Sequence, residues 1–319
     1  MPGRNPHISG SFGVFKRPRR SISRNFSTMP RLRIRHESLY SYSEPVRFGP
    51  WRLLMRPLDT HATRLISASL ETPPSELKWA YDAYGNCVCH LQPRDRADFL
   101  KVVNNLVVDR FPAPLANVMI DNPCSTAPIV YGLSDRAILE PFITPITEDG
   151  SPRYKEWLHA QICAPDEPAL ECLKRINTTI HDDFRYGARD EAGTQGPAQT
   201  VELGSGTCRD FAWLMIESVR RLGFAARFAT GYLYSPHATV RGAGATHAWC
   251  EVFLPDLGWM EFDPTNALVE SAALIRVATT RTWQESDPMN GSIYGDASCD
   301  LKVAVDVDLI QDDGLNMAA

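Results

Sequence analysis

The segment Gly204-Ser-Gly-Thr-Cys-Arg-Asp210 constrains the fold of this chain more than any other. Two glycines let the backbone turn sharply, Thr207 is a natural helix N-cap, and Asp210 stands three residues on as a short-armed capping-box partner. The pattern predicts a helix to Leu222, with Phe211, Met215, Val219 and Leu222 on one face and Gly223 in a left-handed C-cap. Cys208 then takes the first helical position. Alternating stretches follow at Arg227 to Tyr234 and Thr246 to Leu254, and a third, Trp259 to Asp263, comes after the turn Pro255-Asp-Leu-Gly258. A helix followed by antiparallel strands is an α+β pattern rather than a doubly wound sheet.

A thiol at a helix start faces unpaired N–H groups and the positive end of the helix dipole. Both favour thiolate, as does the charge of Arg209, while Asp210 opposes them. The glycines let a substrate backbone approach, and N–H groups at the helix start could hold an oxyanion. Such a nucleophile needs a base steadied by a third group. His247, Trp249, Glu251 and Phe253 share one face of their strand, with Ala248, Cys250 and Val252 on the other. Asp263 ends the next strand on the same face as Trp259 and Glu261, so a hairpin can bring it beside His247. Each residue alone has a plainer reading: a buried thiol, a core histidine, a turn aspartate before Pro264. The three in the order Cys, His, Asp are harder to assign to chance.

Upstream, period-two runs mark short strands at 31–43, Trp51 to Met55, Leu65 to Leu70, Leu77 to Tyr81, Cys87 to Leu91 and Phe99 to Val108. Asp82-Ala-Tyr-Gly-Asn86 reads as a hairpin turn. This spacing predicts an antiparallel β-sandwich over about residues 30–120. Residues 121–165 form an irregular, proline-rich connection, with short helices near Arg136 to Phe142 and Tyr154 to His159. A helix capped by Asp166, with Leu173, Ile176, Ile180 and Phe184 as its apolar stripe, opens a core domain over 166–270. A C-terminal extension, 271–319, contains a strand near 301–310 expected to return to the first domain.

The net charge of −5 argues against nucleic acid as the main partner, and no apolar run is long enough for a membrane helix. Residues 1–29 carry Arg4, Lys16, Arg17, Arg19, Arg20 and Arg24 without an acid, leaving the remainder at −11. An Arg- and Ser-rich leader resembles an organelle transit peptide, but a disordered tail, or a start upstream of Met29, is the simpler reading. The eight cysteines are scattered and follow no secretory signal, so reduced thiols and a cytoplasmic location are the expectation. Cys87-x-Cys89 lacks the paired-knuckle spacing of a structural zinc site.

Taken together, Gly204-Ser-Gly-Thr-Cys-Arg-Asp-Phe-Ala212, Arg227-Phe-Ala-Thr-Gly-Tyr232, Thr246-His-Ala-Trp249, Gly258-Trp259 and Phe262-Asp-Pro-Thr-Asn266 resemble the bacterial transglutaminase-like family. Tyr40-Ser-Tyr-Ser-Glu-Pro-Val46 is similar to the β-rich N-terminal domain that accompanies this core, and 275–295 follows the family's C-terminal pattern loosely. The likeness covers about residues 30–310. Thr207 departs from it, standing where an aliphatic residue is common. The resemblance implies a papain-like cysteine-enzyme core in which Cys208 is the nucleophile, His247 the base and Asp263 the orienting acid. It implies acyl transfer on protein or peptide amides through a thioester, with no cofactor and no metal. Water as acceptor makes an amidase or peptidase, and a lysine amine makes a transglutaminase. Hydrolysis is preferred because water is always present, whereas crosslinking needs a dry site. The rival reading from another class is a non-catalytic binding scaffold, against which the intact triad speaks. Zinc held by Cys208, His247 and Asp263 lacks a fourth ligand, and no D-x-D-x-D-G calcium loop is present. The sequence leaves an oxyanion-hole side chain and the oligomeric state unassigned.

Overall fold

A computed structural model describes residues 30–111, 127–148, 150–187, 193–235, 240–242, 244–255 and 257–310. The basic leader at 1–29 and part of the proline-rich connection lie outside them. The N-terminal domain is antiparallel β, built on β1 (Arg31–Leu53), β2 (Thr63–Glu71), β3 (Ser75–Tyr81), β4 (Cys87–Pro93) and β5 (Ala97–Arg110). Where the sequence suggests separate strands at 31–43 and 51–55, the chain makes one 23-residue strand. Its register on β5 shifts between Ser41 and Val46. The first half of β1 lies between β5 and β14 (Cys299–Ile310), and the second half pairs with β4 and β13 (Met289–Tyr294). One strand thus belongs to two four-stranded layers, β2-β5-β1-β14 and β3-β4-β1-β13. Leu100 and Val102 of the first layer share a buried cluster with Cys89, Leu91 and Met289 of the second. The turn at 82–86 closes through Gly85 N–H to Asp82 O at 3.0 Å, with Gly85 at φ +80°.

The core domain contains α1 (Leu133–Ile143), α2 (Pro152–Ala160), α3 (Ala169–Asp183), β6 (Arg185–Tyr186), α4 (Pro197–Leu203), β7 (Ser205–Gly206), α5 (Cys208–Arg221), β8 (Ala226–Leu233), β9 (His247–Leu254), β10 (Gly258–Asp263), β11 (Leu268–Val269) and β12 (Leu274–Thr280). The five longer or edge strands form an antiparallel sheet in the order β11-β10-β9-β8-β12. Its inner face, Ala226, Phe228, Ala248, Cys250 and Val252, packs on α5. The sheet meets the N-terminal domain where Leu32, Ile34, Leu106 and Val108 bury against Tyr232, Ile275 and Val277. The Tyr232 hydroxyl sits in that interface, donating to Met55 O at 3.2 Å and accepting from Asn104 Nδ2 at 3.3 Å.

Three expectations are corrected. Asp166 does not cap α3: the helix starts at Ala169 with Pro168 as N-cap, and Asp166 sits at φ +63° in the preceding turn. The single apolar stripe read on α5 understates it, because Phe211 to Arg220 are all buried. Glu217 accepts from Ile146 and Thr147 N–H groups, the Thr147 hydroxyl, Arg220 and Arg221, so the polar side of the helix is buried but satisfied. Phe211, Met215 and Val219 each contribute about 1.5–3 kcal/mol by burial. Lastly, the cysteines are not all reduced: Cys163 and Cys172, nine residues apart across the turn before α3, form a disulfide with Cα atoms 5.6 Å apart. Scatter along the chain gave no hint that this turn brings them together. Among the described residues no helix is long and apolar enough to cross a membrane.

Candidate active site

The local sequence before α5 sets its start. Gly204 adopts φ +61° at the end of α4, and Ser205-Gly206 then pairs in parallel with Arg185-Tyr186. Thr207 leaves the helical path as N-cap. Its N–H and hydroxyl both donate to Asp210 Oδ2, at 2.7 and 3.0 Å, and the other carboxylate oxygen accepts the Gln195 N–H at 2.7 Å. Asp210 therefore directs its charge into the cap. Arg209 turns the other way, to Asp287 at 2.9 Å and the Trp283 carbonyl at 3.0 Å. Cys208 stands at the first helical position, 7% exposed.

His247 and Asp263 meet across the β9–β10 ladder. Phe262 pairs with Cys250, so Asp263 is diagonal to His247 on the same face. His247 Nε2 lies 2.9 Å from Asp263 Oδ2, with both side chains fully buried. The carboxylate is further held by the Thr265 N–H on Oδ1 and by Asn266 Nδ2 on Oδ2, each at 2.9 Å. Burial alone would push the Asp263 carboxyl up; His247, Asn266 and the Thr265 N–H outweigh it and hold the group below the usual carboxylate range. Burial likewise disfavours the His247 imidazolium. The Asp263 charge and hydrogen bond, assisted by Cys208, prevail and raise its pKa to about 10. With Nε2 committed to Asp263, Nδ1 is the nitrogen left for Cys208. Among the described residues it has no settled hydrogen-bond partner, and Cys208 acts on it as a neighbour. Trp249 stacks beside the imidazole, ring centroids 6.2 Å apart.

The structure thus brings together Cys208, His247 and Asp263. It adds Asn266, whose amide also donates to Arg241 O at 3.2 Å and whose oxygen accepts the Arg241 N–H at 3.0 Å. Arg241 in turn donates to the His181 carbonyl of α3 at 3.1 Å. Asn266 was visible in the Asp-Pro-Thr-Asn run, where an amide three residues past an aspartate can reach back to it. Tyr186 joins the site with no local sequence signal, through its pairing with Gly206.

Metal does not suit these residues. His247 and Asp263 spend their facing atoms on each other, and among the described residues the group with metal-ligand spacing is Cys163, Glu167 and Cys172. Its two sulfurs are bonded together, and Arg175 already supplies a cation, 3.2 Å from Glu167 and 3.6 Å from Cys172 Sγ. A cavity of about 230 Å³ opens between the domains, lined by Arg110, Arg227, Arg276, Glu261, Glu270 and Trp259 among others. It borders none of Cys208, His247 and Asp263.

Residues 157–264 match the family model of the transglutaminase-like superfamily, and residues 32–109 match that of the bacterial transglutaminase-like N-terminal region. Uncharacterized proteins of Mycobacterium tuberculosis and Mycobacterium bovis are 26% identical over 318 residues, covering 93% of this chain and 98% of each relative. Among solved structures, a Cytophaga hutchinsonii protein provisionally named a cysteine protease superposes with a TM-score of 0.65 at 20% identity. That match covers 90% of this chain and 93% of the other.

Proposed function

Since the chain has a transglutaminase-like core behind a bacterial transglutaminase-like N-terminal region, we propose that it is a cysteine-dependent acyl-transfer enzyme acting on protein or peptide amides. The observation that carries this reading is the buried His247–Asp263 pair at 2.9 Å, beside a thiol at the start of α5. The Cys208 sulfur adds to the amide carbonyl, and the carbonyl π electrons move to oxygen. As the tetrahedral species collapses, the C–N bond breaks and imidazolium Nδ1–H gives its proton to the departing amine. Neutral His247 then takes a proton from the acceptor as it attacks the thioester, and Cys208 leaves as thiolate.

With water as acceptor the enzyme is a peptidase or amidase, and this is the preferred reading. Transfer to an amine stands second, favoured by one observation: the triad is almost wholly enclosed, with His247 1% exposed. Mass spectrometry of glutamine-containing peptides, with and without a labelled primary amine, separates the two. Backbone cleavage or deamidation supports hydrolysis; amine incorporation supports crosslinking. Cys208→Ala is expected to abolish either reaction while preserving the fold. Full turnover by that variant would remove Cys208 from the chemistry.

A further inference from the structure

The core sheet lines up a second set of ionisable side chains, which the proposed acyl transfer does not use. Arg227 of β8 pairs with Glu251 of β9, and Glu251 pairs in turn with Glu261 of β10. Arg276 of β12 joins them, its Nη1 donating to the two oxygens of Glu251 at 3.0 and 3.2 Å. Arg227 donates to the same carboxylate through Nε and Nη2, at 2.8 and 2.6 Å. One wholly buried carboxylate thus serves two guanidiniums. A third, Arg110, enters from the N-terminal domain and lies 3.6 Å from Glu261. Arg110, Arg227, Arg276 and Glu261 wall the cavity of about 230 Å³ between the domains. We infer that this cavity is a binding site for a small organic carboxylate, held by Arg227 and Arg276 beside the Trp259 ring.

Charge balance points to an anion. Glu251 and Glu261 stand directly opposite each other on neighbouring strands, where two like charges repel. Burial disfavours the Glu251 charge, but Arg227 and Arg276 outweigh it and hold the group below the ordinary carboxylate range. Burial, then the charge of Glu251, pushes Glu261 up to about 8, so it carries its proton at neutral pH. Glu270, which accepts the Glu261 N–H at 2.6 Å, is the other carboxylate on the wall. Three guanidiniums therefore face at most two ionised carboxylates, and at least one positive charge is left without a countercharge.

Donors are left over as well. Arg110 spends its guanidinium on the Ala62 and Ser271 carbonyls and the Thr63 hydroxyl. Arg227 Nη1 and Arg276 Nε and Nη2 have no acceptor among the described residues, and none of the three is sealed in the interior. Two guanidiniums gathered on one side of a cavity match the two oxygens of a carboxylate, and the Glu261 O–H supplies a further donor. Trp259, whose ring centroid lies 4.0 Å from Arg227 Cζ, joins Leu58 and Val277 as an apolar wall for the carbon body. A surplus of one charge suits a monoanion better than phosphate, and the guanidiniums repel a metal cation. The volume falls below the roughly 300–1,000 Å³ of drug-sized sites, so the occupant is small.

Isothermal titration of the full chain near neutral pH tests this with benzoate as the probe, and with benzamide and inorganic phosphate beside it at matched ionic strength. Benzoate should bind saturably, and at least about tenfold more tightly than either of the others. Arg276→Lys keeps a cation on Glu251 but loses the planar fork, so it should bind benzoate at least about tenfold more weakly. In the unaltered protein benzoate should also slow the modification of Arg276 by phenylglyoxal, a readout that needs no variant to fold. No saturable binding, equal binding of benzamide, or an unchanged affinity in Arg276→Lys overturns the site. Phosphate binding as tightly as benzoate overturns the carboxylate assignment, and Arg276 modification that benzoate leaves unchanged overturns the location.

Discussion

Replacing Asp263 by asparagine keeps the shape of the site and removes its countercharge. In the native protein the imidazolium survives full burial because a carboxylate sits 2.9 Å away. The rise of the His247 pKa from 6.5 to about 10 corresponds to on the order of 5 kcal/mol in favour of the protonated form. In Asp263→Asn burial acts on the imidazole nearly unopposed, so the His247 pKa is expected to fall below its ordinary value. The sign of the stability effect follows. A raised imidazole pKa adds stability that is complete below 6.5 and is lost as pH rises through about 10. Urea denaturation at closely spaced pH values should therefore show the wild-type advantage over the variant shrinking across that interval, by several kcal/mol. The proposed acyl transfer should follow the same acid: the expected activity falls near pH 10 in the native protein and below neutrality in the variant. Parallel stability curves for the two proteins between pH 6.5 and 10 would refute the reasoning, since the pair would then not hold the proton.

Iodoacetamide near neutral pH should modify Cys208 before the other described free thiols, including the exposed Cys299, whose thiol burial pushes up; peptide mapping that finds Cys299 first contradicts this. Gly242→Ala should cost about 1 kcal/mol of stability from its positive φ and at least tenfold in activity. Its methyl would press on His247 Nδ1, and an unimpaired variant would show that the loop yields freely. Glu261 is raised to about 8 by burial first, then by Glu251 and Glu270 against the pull of Arg110 and Arg276. Its contribution is complete below 4.5 and lost as pH rises through about 8, so Glu261→Gln should gain on the native protein across that window. Identical pH profiles by thermal melting would exclude it.

Helix α5 was legible because its start is written in short-range chemistry: Gly204, Gly206, Thr207 and Asp210 act close together in sequence. The strand faces of His247 and Asp263 were equally local, since alternation needs only neighbouring residues. What escaped is non-local. Nothing around Tyr186 announces that two residues of parallel pairing will set it beside Cys208. Cys163 and Cys172 are brought together by a turn that no periodicity records. The unbroken β1 was hidden for a related reason. Pro45, Gly49 and Pro50 punctuate it, and only partners on both sides, β5 and β14 and then β4 and β13, carry the strand through them.

β14 also ties the order of synthesis to the loop beside His247. It runs along β1 from Arg31 to Tyr42, and partway along it the Val305 N–H bonds the Gly244 carbonyl at 3.1 Å, in the loop whose Gly242 backs onto the imidazole. Synthesis proceeds from β1 onward, so one edge of that strand stays open until residues 299–310 leave the ribosome. The brace on the loop forms only then. A growing chain therefore carries Cys208 and His247 before it carries the strand whose Val305 N–H holds the loop beside the imidazole.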